Sequence, residues 1–111
     1  MLSVVVPTLD EEQRIGPLVR RLRVEADEVV VSDGGSRDGT TGVAQAAGAR
    51  IVTGLPGRGG QLDRGAAAAR GDVLWFLHAD ADVPKGLGRS VRRAAERVAW
   101  TAWRVPTLTR W

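Results

Sequence analysis

Four short apolar runs, each followed by a helical stretch, constrain this chain more than any other feature. Leu2 to Val6, Glu28 to Ser32, Arg50 to Thr53 and Asp72 to Leu77 are rich in Val, Ile and Leu and show no polar alternation. The β-branched run Leu2 to Val6 is the pattern of a strand buried on both faces, Glu28 to Ser32 reads as a second buried strand, Arg50 to Thr53 as a shorter third, and Asp72 to Leu77 as the most hydrophobic fourth. Between them the apolar residues return at helical spacing. Ile15, Leu18, Val19 and Leu22 form one stripe in a helix expected over about 11–23, with Thr8 or Asp10 as its cap. A short helix is expected over 40–47, ended by Gly48. An alanine-rich helix is expected over 61–70, after a glycine-rich loop at 54–60. Pro84 opens a last helix reaching about Val98. Strand and helix in strict alternation mean crossover connections and a mostly parallel sheet flanked by helices, a Rossmann-like α/β fold.

The length of 111 residues allows one domain with one modest core. Cysteine is absent, which excludes disulfides, thiolate metal sites and a cysteine nucleophile. With His78 the only histidine, a site with several imidazole ligands is excluded too. Residues 1–82 carry 9 basic and 12 acidic side chains, whereas 83–111 carry 7 basic side chains and only Glu96. The net charge of +3 is thus a property of the tail, read as a solvated arginine face rather than a nucleic-acid surface. No leader and no run of ~18 apolar residues is visible, so a cytoplasmic protein is expected. The expected division is an α/β unit over 1–88 and a basic, tryptophan-rich tail over 89–111.

Open α/β sheets bind ligands beyond the carboxyl ends of their strands, where the strand order reverses. Three unusual segments fall at such ends. Pro7-Thr8-Leu9-Asp10-Glu11-Glu12 follows the first strand, where a dinucleotide or P-loop motif would place glycines. Asp33-Gly34-Gly35-Ser36 follows the second. A carboxylate there, in glycine-lined space, can accept a pyrimidine imide N–H, or it can cap the turn. His78-Ala79-Asp80-Ala81-Asp82 follows the fourth. If that backbone stays extended, the three titratable side chains point one way, ~6.5 to 7 Å apart, as hard ligands for magnesium or manganese.

Together these segments resemble the donor-binding half of inverting family 2 glycosyltransferases with the GT-A fold. The family's paired Asp-Asp-Gly-Ser reads here as Asp33-Gly34-Gly35-Ser36, with Gly34 for the second Asp. Its D-x-D metal motif reads as His78-Ala79-Asp80. Ser-Asp-Gly-Gly-Ser and Leu-His-Ala-Asp are similar to the branch labelled arsenosugar-biosynthesis-type. The resemblance implies a UDP-linked donor sugar, with Pro7, Thr8 and Glu11 lining the uridine pocket and Asp33 pairing with the base. It implies Arg58 at the diphosphate and Asp80 on the divalent metal, Mn2+ or Mg2+, with Asp82 and His78 beside it. This reading puts Asp82 second to Asp80; a register with Asp80-Ala81-Asp82 as the metal pair remains open.

The resemblance covers about residues 2–88. The base that activates an acceptor hydroxyl would lie beyond the metal motif, where Glu96 is the only carboxylate side chain, among Arg92, Arg93 and Arg97. No catalytic residue is therefore assigned, and the acceptor is unknown. Two readings stand: a glycosyltransferase whose acceptor half is missing, and a non-catalytic nucleotide-diphosphate-binding module. A nucleotidyltransferase would want glycines after the first strand. An uncovered side of the sheet would also favour self-association.

Overall fold

The structure, a computed structural model, describes residues 1–98. The tail from Trp100 to Trp111, and the reading of it as a tryptophan-arginine segment, lie outside the described residues. The elements run β1 (Leu2–Thr8), α1 (Glu12–Glu25), β2 (Glu28–Asp33), α2 (Thr40–Ala47), β3 (Arg50–Thr53), α3 (Arg58–Ala68), β4 (Val73–Phe76) and α4 (Leu87–Val98). All strand pairs are parallel, in the order β3-β2-β1-β4. The chain steps outward from β1 to β3, then returns past the sheet to set β4 on the other flank of β1. The strand order therefore reverses between β1 and β4. The expected α/β architecture is the one observed.

The two faces of the sheet differ. Leu2, Val4, Val6, Val29, Val31, Trp75 and Leu77 point to one side and are buried with Ile15, Leu18, Val19 and Leu22 of α1, Ala44 of α2 and Val91 of α4. Val5, Val30 and Phe76 point to the other, covered by α3 through Leu62 and Ala66. This second layer is thin because α3 lies very close. A Cβ on Gly65 would sit 2.3 Å from Val5 Cγ1, so only glycine permits that approach. Serine and glutamate fill the lower end of this face. Ser3 Oγ donates to Glu28 Oε1 at 2.8 Å, and Arg50 Nη1 meets Glu28 Oε2 at 2.6 Å. The boundary drawn at residue 88 falls within α4, whose Val91 and Ala95 are buried.

Two details differ from the sequence reading and shape the carboxyl end of the sheet. First, β1 continues through Pro7, which stands in register with Ser32. Val5 O accepts the Leu77 amide at 3.0 Å, so Pro7, two residues on, faces the same flank, where β4 has already ended. No ladder donor is needed there, and proline is tolerated. Second, α3 begins at Arg58, three residues earlier than expected, after Gly57 at φ 141. No described helix is long and apolar enough to cross a membrane.

Candidate functional site

Because β4 leaves the sheet after Phe76 while β1 runs on to Thr8, a crevice opens at the point of strand-order reversal. Pro7, Thr8, Leu9, Arg58, Gln61 and His78 line it, around a cavity of about 170 Å3. Four of the residues singled out in the sequence thus meet here: Pro7, Thr8, Arg58 and His78. Arg58 is the first residue of α3, so the crevice also faces the amino end of a helix. First-turn amides of a helix lack intrahelical acceptors and favour anions.

Asp33 lies beneath this crevice and is 1% exposed. Its Oδ1 accepts the Thr8 hydroxyl at 2.7 Å and the Ser36 hydroxyl at 2.5 Å. Its Oδ2 accepts the amides of Ser36 at 2.7 Å and Gly35 at 3.0 Å. A carboxylate offers about four lone-pair positions, and these contacts take them all. Burial opposes the charge and is the largest single influence on the group. The Ser36 hydroxyl and amide, the Thr8 hydroxyl and the Gly35 amide together outweigh it and hold the carboxyl below its ordinary pKa. The turn-capping role left open by the sequence is thus fully realised.

Glu11 sits apart from the crevice, with Asp10, Glu12, Gln13, Arg14 and Asp38. Its segment is stitched to the loop after β2. Asp10 and Glu11 donate their amides to the hydroxyls of Ser36 and Thr40, both at 2.8 Å. In return Asp10 Oδ1 accepts the Arg37 amide at 2.8 Å, and Glu12 Oε1 accepts that of Gly39 at 2.7 Å. Neither Thr8 nor Asp10 caps α1, which starts after Glu11 with no side-chain cap. At the start of α2, Asp38 Oδ1 accepts the Thr40 amide at 2.9 Å.

The extended backbone expected over 78–82 is corrected. Ala81 N donates to His78 O at 3.1 Å, which closes a turn at Ala79-Asp80. Ala79 is pulled into the core, leaving His78 in the crevice and Asp80 and Asp82 exposed on the other side of the turn. There the two aspartates line a cavity of about 730 Å3 against Gln13, Arg14, Pro17, Leu18 and Arg21 of α1. Among the described residues no three His, Asp or Glu side chains converge as a ready metal shell. Two exposed carboxylates on one turn fit a magnesium- or manganese-type ion that takes its other ligands from water and substrate phosphates. Glu96 lines a cavity with Met1, Leu2, Asp72 and Val73, at the amino ends of β1 and β4. It stands at the opposite end of the sheet from the crevice.

Gln61 was not singled out by sequence. It is buried at 6% exposure and joins three segments. Its Nε2 donates to Thr8 O and Ser32 O, both at 2.9 Å, and its Oε1 accepts the Gly57 amide at 3.0 Å. Only its place one helical step after Arg58, beside the strand ends, would have found it.

Comparison with known proteins sets this geometry among relatives. The sequence profile of Glycosyl transferase family 2 matches residues 3–105. A glucosyl-3-phosphoglycerate synthase from Mycolicibacterium paratuberculosis is 43% identical over 95 aligned positions, which take in 71% of this chain and 28% of that protein. An undecaprenyl-phosphate 4-deoxy-4-formamido-L-arabinose transferase from Pseudomonas paraeruginosa is 32% identical, over 86% of this chain and 33% of that one. The crystal structure of the Mycobacterium tuberculosis glucosyl-3-phosphoglycerate synthase with Mn2+, UDP and glucosyl-3-phosphoglycerate superimposes with a TM-score of 0.69 at 35% identity. The match covers 78% of this chain and 36% of that one. The chain spans about a third of the length of these relatives.

Proposed function

Because the chain belongs to glycosyl transferase family 2, we propose that it holds the UDP of a nucleotide-sugar donor in the crevice between β1 and β4. The observation that carries this reading is where the crevice lies. It opens at the strand-order reversal, lined by Pro7, Thr8 and Leu9 from the end of β1, Arg58 and Gln61 from the first turn of α3, and His78 after β4. In the proposed arrangement the nucleoside lies toward Thr8 and the loop after β2, and the diphosphate toward Arg58 and the turn after β4. Pro7 and Thr8 line the uridine pocket. Glu11 acts on it through the stitched loops. Asp33 is proposed to serve the base indirectly, by fixing Gly34 to Ser36.

Arg58, at the start of α3, places a guanidinium and helix amides where the leaving diphosphate gathers charge. Asp80, with Asp82 and His78 beside it, would hold the divalent metal, His78 from the crevice it shares with Arg58. A bound Mn2+ or Mg2+ supplies charge neutralisation as the sugar–phosphate bond breaks. Homologous structures with Mn2+ or Mg2+ and UDP support this reading. Calorimetry of the 111-residue chain with UDP, with and without Mn2+, tests it. Saturable, metal-enhanced binding is expected, and no binding under either condition overturns the donor-site assignment.

Transfer itself is proposed for the longer arrangement of the relatives. A carboxylate base must face the acceptor hydroxyl. Glu96 stands at the wrong end of the sheet for that role. We therefore assign the base and acceptor pocket to sequence equivalent to the unmatched two thirds of the relatives. The same observation favours a second reading of these 111 residues, a nucleotide-diphosphate-binding module inactive by itself. For the acceptor, 43% identity supports a small phosphorylated acid such as phosphoglycerate. The wording of Ser32 to Ser36 and Leu77 to Asp80 supports the arsenosugar-type branch. A donor-binding body that takes in α4 beyond residue 88, self-association and a cytoplasmic setting complete the proposal.

A further inference from the structure

Position 34 carries no side chain, yet the space above it is filled. A Cβ built on Gly34 would stand 2.7 Å from Gln61 Oε1, 2.9 Å from Gln61 Cδ and 3.0 Å from Pro56 Cα. Real Cβ atoms do not approach oxygen that closely, so residue 34 and residue 61 compete for one volume. Gln61 cannot swing away to relieve such a clash. Both of its amide hydrogens are committed to the strand-end carbonyls Thr8 O and Ser32 O, and its oxygen to the Gly57 amide. The carboxamide is buried, so each bond given up would leave a polar group unpaired.

Its direction also matters. From α3 the side chain reaches the ends of β1 and β2, whereas Asp80 and Asp82 follow β4, on the other flank of β1. It therefore lies between the crevice at Thr8 and the loop that begins at Gly34 after β2, away from the metal-type carboxylates.

We propose that Gly34 and Gln61 form a specificity-determining pair that shapes the nucleobase end of the donor crevice, with Gln61 as its positioning residue. The inference rests on the donor-site reading above and deepens it. A side chain at 34 would push Gln61 off the strand ends and reshape the seat of the base, while Arg58 and the turn after β4 keep the diphosphate end.

The experiment compares UDP with inorganic pyrophosphate, which shares the diphosphate and lacks the base. Affinities for both are measured with Mn2+ for the full 111-residue chain, Gly34→Ala, Gln61→Ala and the double variant, each checked by thermal melting. Gly34→Ala is expected to weaken UDP at least tenfold and pyrophosphate less than twofold. In the Gln61→Ala background the same change should cost UDP at least fivefold less, because only the Pro56 contact remains. Equal losses for the two ligands, or an equal cost of Gly34→Ala with and without Gln61, overturn the pair. Should Gln61→Ala fail to fold, the UDP-to-pyrophosphate ratio of Gly34→Ala alone decides. A parent chain that binds pyrophosphate but not UDP also overturns the pair. One that binds neither overturns the donor-site reading and this inference with it.

Discussion

Replacing Asp33 with asparagine separates a carboxylate that meets a ligand from one that holds a loop. Asparagine is nearly isosteric, so packing at this buried position is unchanged, and what changes is hydrogen bonding. With its oxygen toward the Gly35 and Ser36 amides, the new side chain presents an NH2 to the hydroxyls of Thr8 and Ser36. Hydroxyls can rotate and accept, whereas amides cannot. All four contacts therefore survive in altered form but lose their charge assistance. A bond to a charged group contributes ~1.5 to 3 kcal/mol and a neutral one ~0.5 to 1.5, so four contacts lose about 4 to 6 kcal/mol; asparagine also escapes the cost of burying a charge, which leaves a net loss of about 2 to 4 kcal/mol. That is a large share of a domain stability of ~5 to 15 kcal/mol.

The dependence on pH carries a second signature. Asp33 is held below its ordinary pKa, so its stabilisation is complete above the ordinary carboxylate range and is lost as pH falls through the lowered value. Urea unfolding of wild type and Asp33→Asn should therefore show the full gap at pH 7 and a shrinking gap on acidification. An Asp33→Asn variant as stable as wild type at pH 7, yet unable to bind UDP, would refute the loop-holding argument. It would restore Asp33 as a direct partner of the base.

Gly65→Ala should destabilise by about 1 to 2 kcal/mol in urea melts. The added methyl would meet the fully buried Val5, and that strain outweighs the gain in helix propensity. Glu25→Ala should cost about 2 to 4 kcal/mol by the same assay, because the Gly86 and Gly88 amides at the start of α4 lose their acceptor at 3.1 and 2.7 Å. Asp80→Ala should remove the manganese dependence of UDP affinity in calorimetry, and Asp82→Ala should only reduce it. The reverse ranking would make Asp80-Ala81-Asp82 the metal pair with Asp82 foremost.

The strands could be read from sequence because burial on both faces leaves no polar alternation, as in Val4 to Val6 and Val29 to Val31. Helix α3 started earlier than its composition suggested. Gly57, Gly59 and Gly60 are poor helix formers, but Gln61 anchors this turn to two other strands, and tertiary contact overrides local propensity. The turn at Ala79-Asp80 was hidden for the opposite reason. Alternating Ala and Asp satisfies a two-residue period, and only the burial of Ala79 shows which way the chain bends. Asp33 does stand at the end of β2, as the sequence suggested, but its saturation was not legible, since one partner, Thr8, stands 25 positions away. The cross-stitching of Asp10 to Glu12 with Ser36 to Thr40 is equally non-local.

The pairing of β1 with β4 joins Leu2 to Val73, the two extremes of the sheet in chain order. During synthesis β1, β2 and β3 can find one another while β4 is still unmade. The crevice cannot exist at that stage, because Arg58, Gln61 and His78 arrive with the later segments. Such long-range closure is the slow kind, since the entropy of the loop is lost before any contact rewards it. A nucleotide that fits the crevice would therefore stabilise only the finished sheet, drawing the last strand into place by mass action. Availability of such a ligand would then influence how much of the newly made chain survives.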